Sequence, residues 1–159
     1  MKALFIDATP TLSAIAKRLS RVGDPELVIN EAPDITPEQL PALLAGYDIA
    51  IIDHTALSTD VARQCSDLKH VVFLGTGARS YMNPEELSDV GITVHTIKGY
   101  GDTAVAECAF ALMWAGAKHL AHMDRAMRAG NWLRTEVAQL TGKTLGLVGF
   151  GGIAAEMAR

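Results

Sequence analysis

Apolar residues occur in short runs separated by stretches with helical spacing. Lys2–Ile6 reads as a strand, and Thr11–Arg21 as a helix with Leu12, Ile15, Ala16 and Leu19 on one face. The turn signal Gly23-Asp24-Pro25 precedes a second strand over Glu26–Asn30. Pro37 suits the first position of a short helix reaching Leu44, with Thr36 as its N-cap. Ile49–Ile52 is wholly apolar, the pattern of a parallel strand buried on both faces. Ser58 or Thr59 can cap a helix running through Cys65, and His70–Leu74 reads as a fourth strand. Asn83-Pro84-Glu85-Glu86 opens a helix that ends at Gly91, and Ile92–Thr96 is a fifth strand. Strands alternating with helices imply parallel β-α-β units with right-handed crossovers. Residues 1–98 therefore predict an α/β fold, a flavodoxin-like doubly wound parallel sheet.

The rhythm then changes. Asp102 or Thr103 starts a long helix extending to about Arg128 and ended by Gly130. Its Val105, Cys108, Leu112, Ala115, Leu120, Met123 and Met127 form an apolar stripe suited to a core or a subunit interface. Asn131–Thr141 reads as a loop carrying Trp132, and Thr144–Val148 as a new strand. Gly149-Phe150-Gly151-Gly152-Ile153-Ala154 follows and opens a helix that the chain leaves at Arg159. Residues 99–159 thus predict a long interdomain helix and the first strand–turn–helix of a truncated Rossmann domain.

Composition narrows the function. The chain is 49% hydrophobic and 20% charged, enough to bury a core. A net charge of −4 and the lack of any long basic run argue against a nucleic-acid partner. The apolar run after Met1 is too short for a signal peptide, and no stretch approaches the roughly 18 apolar residues of a membrane span. Cys65 and Cys108 are far apart and lack metal-ligand spacing, so no metal site and a cytoplasmic location with reduced thiols are expected.

Gly149, Gly151 and Ala154 fit G-x-G-x-x-G/A in the required context, after an apolar strand and at the opening of a helix. Gly149 allows the tight turn, Gly151 lets backbone approach a pyrophosphate, and Ala154 is small enough for the helix to pack on the strand. Gly152 and Ile153 complete the first turn, whose N–H groups and dipole favour phosphate. The acidic residue that would contact the ribose lies about 20 positions further on, beyond Arg159, so NAD and NADP both remain open.

Three segments together carry a family resemblance. They are Leu68-Lys69-His70-Val71-Val72-Phe73-Leu74-Gly75-Thr76-Gly77-Ala78; then Gly91-Ile92-Thr93-Val94 with Gly99-Tyr100-Gly101-Asp102-Thr103-Ala104-Val105-Ala106-Glu107; and Leu140-Thr141-Gly142-Lys143-Thr144-Leu145-Gly146-Leu147-Val148 with the glycine turn after it. In order and spacing these resemble the D-isomer-specific 2-hydroxyacid dehydrogenases. The resemblance implies a substrate-binding (catalytic) domain over 1–98 and the beginning of an NAD(P)-binding domain over 99–159. It implies that Gly75, Thr76, Gly77 and Ala78 offer backbone N–H groups to the substrate carboxylate, as a glycine-rich turn after a parallel strand can. It places Thr103 near the cofactor, lets His54 at the strand edge shape substrate choice, and predicts a homodimer. The implied reaction is hydride transfer between NAD or NADP and a small 2-oxo or 2-hydroxy acid, the work of an oxidoreductase. Arg79 departs from the family, where Asp is common. The family's catalytic Arg, Glu and His follow the fingerprint, and none of His54, His70, His95, His119 and His122 matches that histidine. Catalytic residues are therefore expected beyond Arg159, and the isolated chain is expected to be inactive.

Two other readings compete. A phosphorelay receiver also places acids, Thr and Lys at strand ends, as Asp7, Asp53, Thr76 and Lys98 stand here, but receivers usually pair acids after the first strand and end soon after the fifth. A non-catalytic module that senses nucleotide or binds a partner is compatible with the same fold.

Overall fold

Five four-residue strands and the helices between them follow the chain in strict alternation. In the computed structural model, which describes residues 1–32 and 35–159, the strands are β1 (Lys2–Phe5), β2 (Glu26–Ile29), β3 (Ile49–Ile52), β4 (His70–Phe73) and β5 (Thr93–Thr96). The helices among them are α1 (Pro10–Leu19), α2 (Leu40–Leu43), α3 (Thr59–Ala62) and α4 (Pro84–Asp89), with 3₁₀ turns at Pro37–Gln39 and Ala78–Ser80. Local chemistry starts each helix. Thr9 Oγ1 accepts from Leu12 N, Ser58 Oγ from Val61 N, and Asn83 Oδ1 from Glu85 N and Glu86 N. Thr36 leads into the 3₁₀ turn, where its N–H donates to Gln39 Oε1.

All neighbouring strands pair in parallel, in the order β2-β1-β3-β4-β5. Ala3 lies opposite Leu27 on one side and Ile49 on the other, so the order reverses around β1. This is the flavodoxin-like order, and ligands in such sheets gather at the carboxyl ends beside the reversal. One face of the sheet carries the core: Leu4, Ile6, Ala50, Ile52, Val71 and Phe73, packed with Leu40, Leu44, Leu57 and Leu87. Each of the larger side chains, Ala50 aside, contributes about 1.5–3 kcal/mol by leaving water.

The other face corrects the expectation for Ile49–Ile52. Ala50 and Ile52 are buried, but Ile49 and Ile51 are only half-buried. They border a shallow apolar cavity of about 250 Å³ with Ala3, Leu27 and Val72. An apolar run shows that a strand tolerates burial on both faces, and not that helices cover both.

The chain divides into two compact units, Met1–Lys98 and Gly99–Arg159. In the second, the expected single long helix is two, α5 (Asp102–Ala117) and α6 (Leu120–Arg128). His119 interrupts them in the left-handed conformation, with φ 52° and ψ 33°. The break is held by tertiary bonds: Ala138 N donates to Ala117 O, and Lys118 Nζ donates to Ala138 O. The expected stripe is also displaced. Helix α5 carries no charged residue from Cys108 onward, Val105, Cys108 and Leu112 are exposed, and Ala106 is its buried residue. Residues 144–148, expected as a strand, form no regular element, and Val148 is fully exposed. A strand needs a partner for its N–H and C=O groups, and the described residues of this unit contain no sheet. The last helix, α7 (Gly152–Met157), packs on α5.

Candidate cofactor and substrate sites

The glycine turn has the backbone that the motif requires. Gly149 sits at φ +88°, a conformation a side chain would strain. Gly151, in extended conformation, caps α7, and a Cβ there would meet nothing within 4 Å. The first-turn amides of Gly152, Ile153 and Ala154 have no acceptor among the described residues. Such amides at a helix start are unmatched donors that suit phosphate oxygens. Ile153 and Ala154 are half-buried. Any side chain at Gly152 would run into the carboxylate of Asp102, the first residue of α5.

Asp102 was not singled out from the sequence, because an acid in the first turn of a helix reads as an ordinary partner for the helix dipole. Thr103, the residue expected near the cofactor, is exposed, and its neighbour is the one that abuts the turn. The backbone therefore fits a pyrophosphate, while the Asp102 carboxylate opposes its charge.

The carboxyl edge of the five-stranded sheet holds the other candidate residues. After β4, the amides of Gly75, Thr76, Gly77 and Ala78 have no acceptor among the described residues. Gly75 also has a packing reason: a Cβ there would stand 2.5 Å from the ring of buried Phe73. Arg79 follows in the 3₁₀ turn and makes a two-pronged ion pair with Glu85 of α4, one contact being 2.7 Å. The guanidinium holds the Glu85 carboxyl below its ordinary pKa, and the carboxylate raises that of Arg79. The arginine thus ties the substrate-loop candidate to α4 in place of the family's usual Asp.

One strand away, after β3, His54 Nδ1 lies 3.1 Å from Asp53 Oδ2 and 3.7 Å from Asp7 Oδ2. Asp7, which follows β1, is buried and fully engaged. Its Oδ1 accepts from Asp53 N at 2.9 Å, and its Oδ2 accepts from His54 N, Thr55 N and Thr55 Oγ1, each at 2.8 Å. A buried carboxylate needs such donors to offset its desolvation. Asp7 therefore pins the turn that carries His54. Of the receiver-like set, Asp7 and Asp53 are occupied with backbone and imidazole rather than facing each other as a bare acid pair.

A parallel sheet with its reversal at β1, followed along the chain by a glycine turn that opens a helix, defines an α/β protein. Residues 110–159 match the model for the D-isomer specific 2-hydroxyacid dehydrogenase, NAD binding domain, and the chain as a whole is similar to curated members of that group. It is 29% identical over 160 residues to the hydroxypyruvate reductase of Thermotoga maritima, covering 91% of this chain and 52% of the relative. It is 27% identical over 146 residues to the D-3-phosphoglycerate dehydrogenase of Methanocaldococcus jannaschii, covering 90% of this chain and 27% of that protein. A solved structure of an acyclic imino acid reductase (Bsp5), in complex with NADPH and D-Arg, superimposes with a TM-score of 0.77 at 27% identity. That superposition takes in 99% of this chain and 52% of the other. The chain therefore spans about a quarter to a half of the length of these proteins.

Proposed function

We propose that the whole protein is an oxidoreductase that transfers a hydride between NAD(P) and a small 2-oxo or 2-hydroxy acid. The match of residues 110–159, glycine turn included, to a family NAD-binding domain carries this reading. When bound, the nicotinamide donates or accepts the hydride. The backbone of Gly149, Gly151, Gly152, Ile153 and Ala154 holds the pyrophosphate, with Thr103 close to the cofactor. The amides of Gly75, Thr76, Gly77 and Ala78 take the substrate carboxylate, and His54 stands beside the rest of the acid. An Arg, a Glu and a His outside residues 1–159 polarise the carbonyl and move the proton, the imidazole acting as acid in reduction and base in oxidation.

The exposed Leu112, Trp114, Leu120 and Met127 support a homodimer formed through the second unit. Cys65 and Cys108 are both unpaired, and no described helix is long and apolar enough to cross a membrane, which supports a cytoplasmic location. The test is oxidation of NADH and NADPH by the full-length polypeptide with hydroxypyruvate, glyoxylate or pyruvate. Turnover with at least one acid is expected. Nucleotide binding without turnover on any of them would replace the enzyme reading with a sensing module.

A further inference from the structure

We propose that His70 and His95 form a binding site for a divalent transition-metal ion of the zinc, nickel and copper class, apart from the candidate cofactor and substrate sites. His70 is the first residue of β4, whereas the amides of Gly75–Ala78 follow its far end. His95 lies on β5, the edge strand of the sheet. Thr93 pairs with His70 and His95 with Val72, so the two histidines stand diagonally across neighbouring strands. Side chains alternate along a strand, and Val71 and Phe73 take the core face, so His70 and His95 share the other. His95 Nε2 is 3.3 Å from His70 Nδ1, with ring centroids 5.3 Å apart and planes tilted by 51°. That separation exceeds the roughly 2.7–3.2 Å typical of protein hydrogen bonds. It matches an edge of a tetrahedral metal site, where two nitrogens each about 2.0–2.1 Å from one ion stand roughly 3.3–3.4 Å apart.

Both donors are available to an ion. A neutral imidazole carries its proton on one nitrogen, so His70 protonated at Nε2 and His95 protonated at Nδ1 direct two lone pairs toward one point. Histidine χ2 is a broad torsion, His70 is half-buried and His95 is exposed, so each ring can turn onto an ion at little cost. The ammonium of Lys69, the residue before His70, is paired with Asp48 at 2.6 Å and does not stand as an uncompensated charge against a cation. Among the described residues no third His, Cys, Asp or Glu joins the pair. Water fills the remaining positions, which makes this an exchangeable site and not a structural one closed by four protein ligands. Imidazole suits zinc, nickel and copper, whereas hard magnesium seeks oxygen. The two ligands are 25 residues apart, so no local metal-ligand spacing announces them. They belong to different strands, so an ion that holds both clips β5 to β4 and stabilises the folded chain.

The experiment follows the histidine ring resonances of the 159-residue chain during titration with zinc chloride and, separately, with magnesium chloride. Zinc is expected to shift His70 and His95 together along one saturating curve, and magnesium to shift neither. His95→Gln, at an exposed position, should weaken zinc binding at His70 by roughly tenfold or more, since losing a ligand costs no less than losing a ligand's support. Replacing His119 and His122 together by Gln leaves the response of His70 and His95 unchanged. Urea unfolding gives a second readout: saturating zinc raises the midpoint of the parent but not that of His95→Gln. Zinc shifts confined to His54, His119 or His122 overturn the proposal. So do unchanged zinc affinity at His70 in His95→Gln and equal shifts with magnesium.

Discussion

In residues 1–98, Phe73, Ile6, Leu57 and Leu87 lose nearly all contact with water, whereas in residues 99–159 Ala106 is the one buried residue among those described. Leu112, Trp114, Leu120, Val148 and Phe150 all remain exposed. The difference comes from how the two kinds of element satisfy themselves. A helix closes its own hydrogen bonds, so α5 and α6 form although little covers them. A strand closes none of its own, so β1–β5 exist because each has a neighbour, and residues 144–148 stay irregular for want of one. The first unit is held by burial, and the second largely by bonds within its helices and the packing of α7 on α5.

The largest expected effect tests that contrast directly. Phe73→Ala should cost about 3–5 kcal/mol by opening a cavity in the core of the first unit. Leu112→Ala, at a side chain 69% exposed, should change stability by no more than about 0.5 kcal/mol. Urea denaturation of both variants checks the pair, and comparable losses would mean that a partner covers α5 in solution.

Asp7→Ala comes next. It strands three amides and the Thr55 hydroxyl around a missing acceptor, a cost of about 2–3 kcal/mol. The same denaturation measures it, and a near-neutral result would show the turn at Asp53–Thr55 to be held by something else.

Asp102→Asn sharpens the comparison from the other side. Removing the carboxylate beside Gly152 should strengthen nucleotide binding several-fold with little change in folding, as read by calorimetric titration with NADH. Unchanged or weaker affinity would mean that the carboxylate swings clear before phosphate arrives.

The smallest effect concerns the exposed pair at the amino ends of β3 and β4. Lys69 Nζ lies 2.6 Å from Asp48 Oδ1, and Lys2 N donates to the other oxygen. These donors hold the Asp48 carboxyl below 3.8, and the carboxylate holds Lys69 above 10.5. A depressed carboxyl stabilises the fold above its ordinary value and loses that contribution as pH falls through the depressed one. A raised ammonium contributes below its ordinary value and loses it as pH rises through the raised one. Asp48→Asn should therefore be slightly less stable than the parent at neutral pH, with the gap closing in strong acid. A thermal-melt series against pH checks this, and a gap that persists in acid would remove the charge argument.

The chain's local patterns determined a good deal unaided. Short runs bounded by turn signals placed all five strands, four of them rich in apolar residues and the fifth, Thr93–Thr96, largely exposed. Asn83, Ser58 and Thr36 marked helix starts, because capping needs only neighbours in sequence. Gly149 and Gly151 announced a tight turn before a helix, because their backbone demands are local. Tertiary structure alone decided the rest. Asp7 meets its donors 46 to 48 residues away, Asp102 meets Gly152 through helix packing, and His119 breaks the long helix where Ala138 reaches back to Ala117. No periodicity encodes such meetings, because each depends on which distant backbone amide, carbonyl or carboxylate packing brings into reach. Thr144–Val148 shows the same dependence in reverse: a strand-like pattern specifies a capacity for pairing, and only a neighbouring strand turns it into structure.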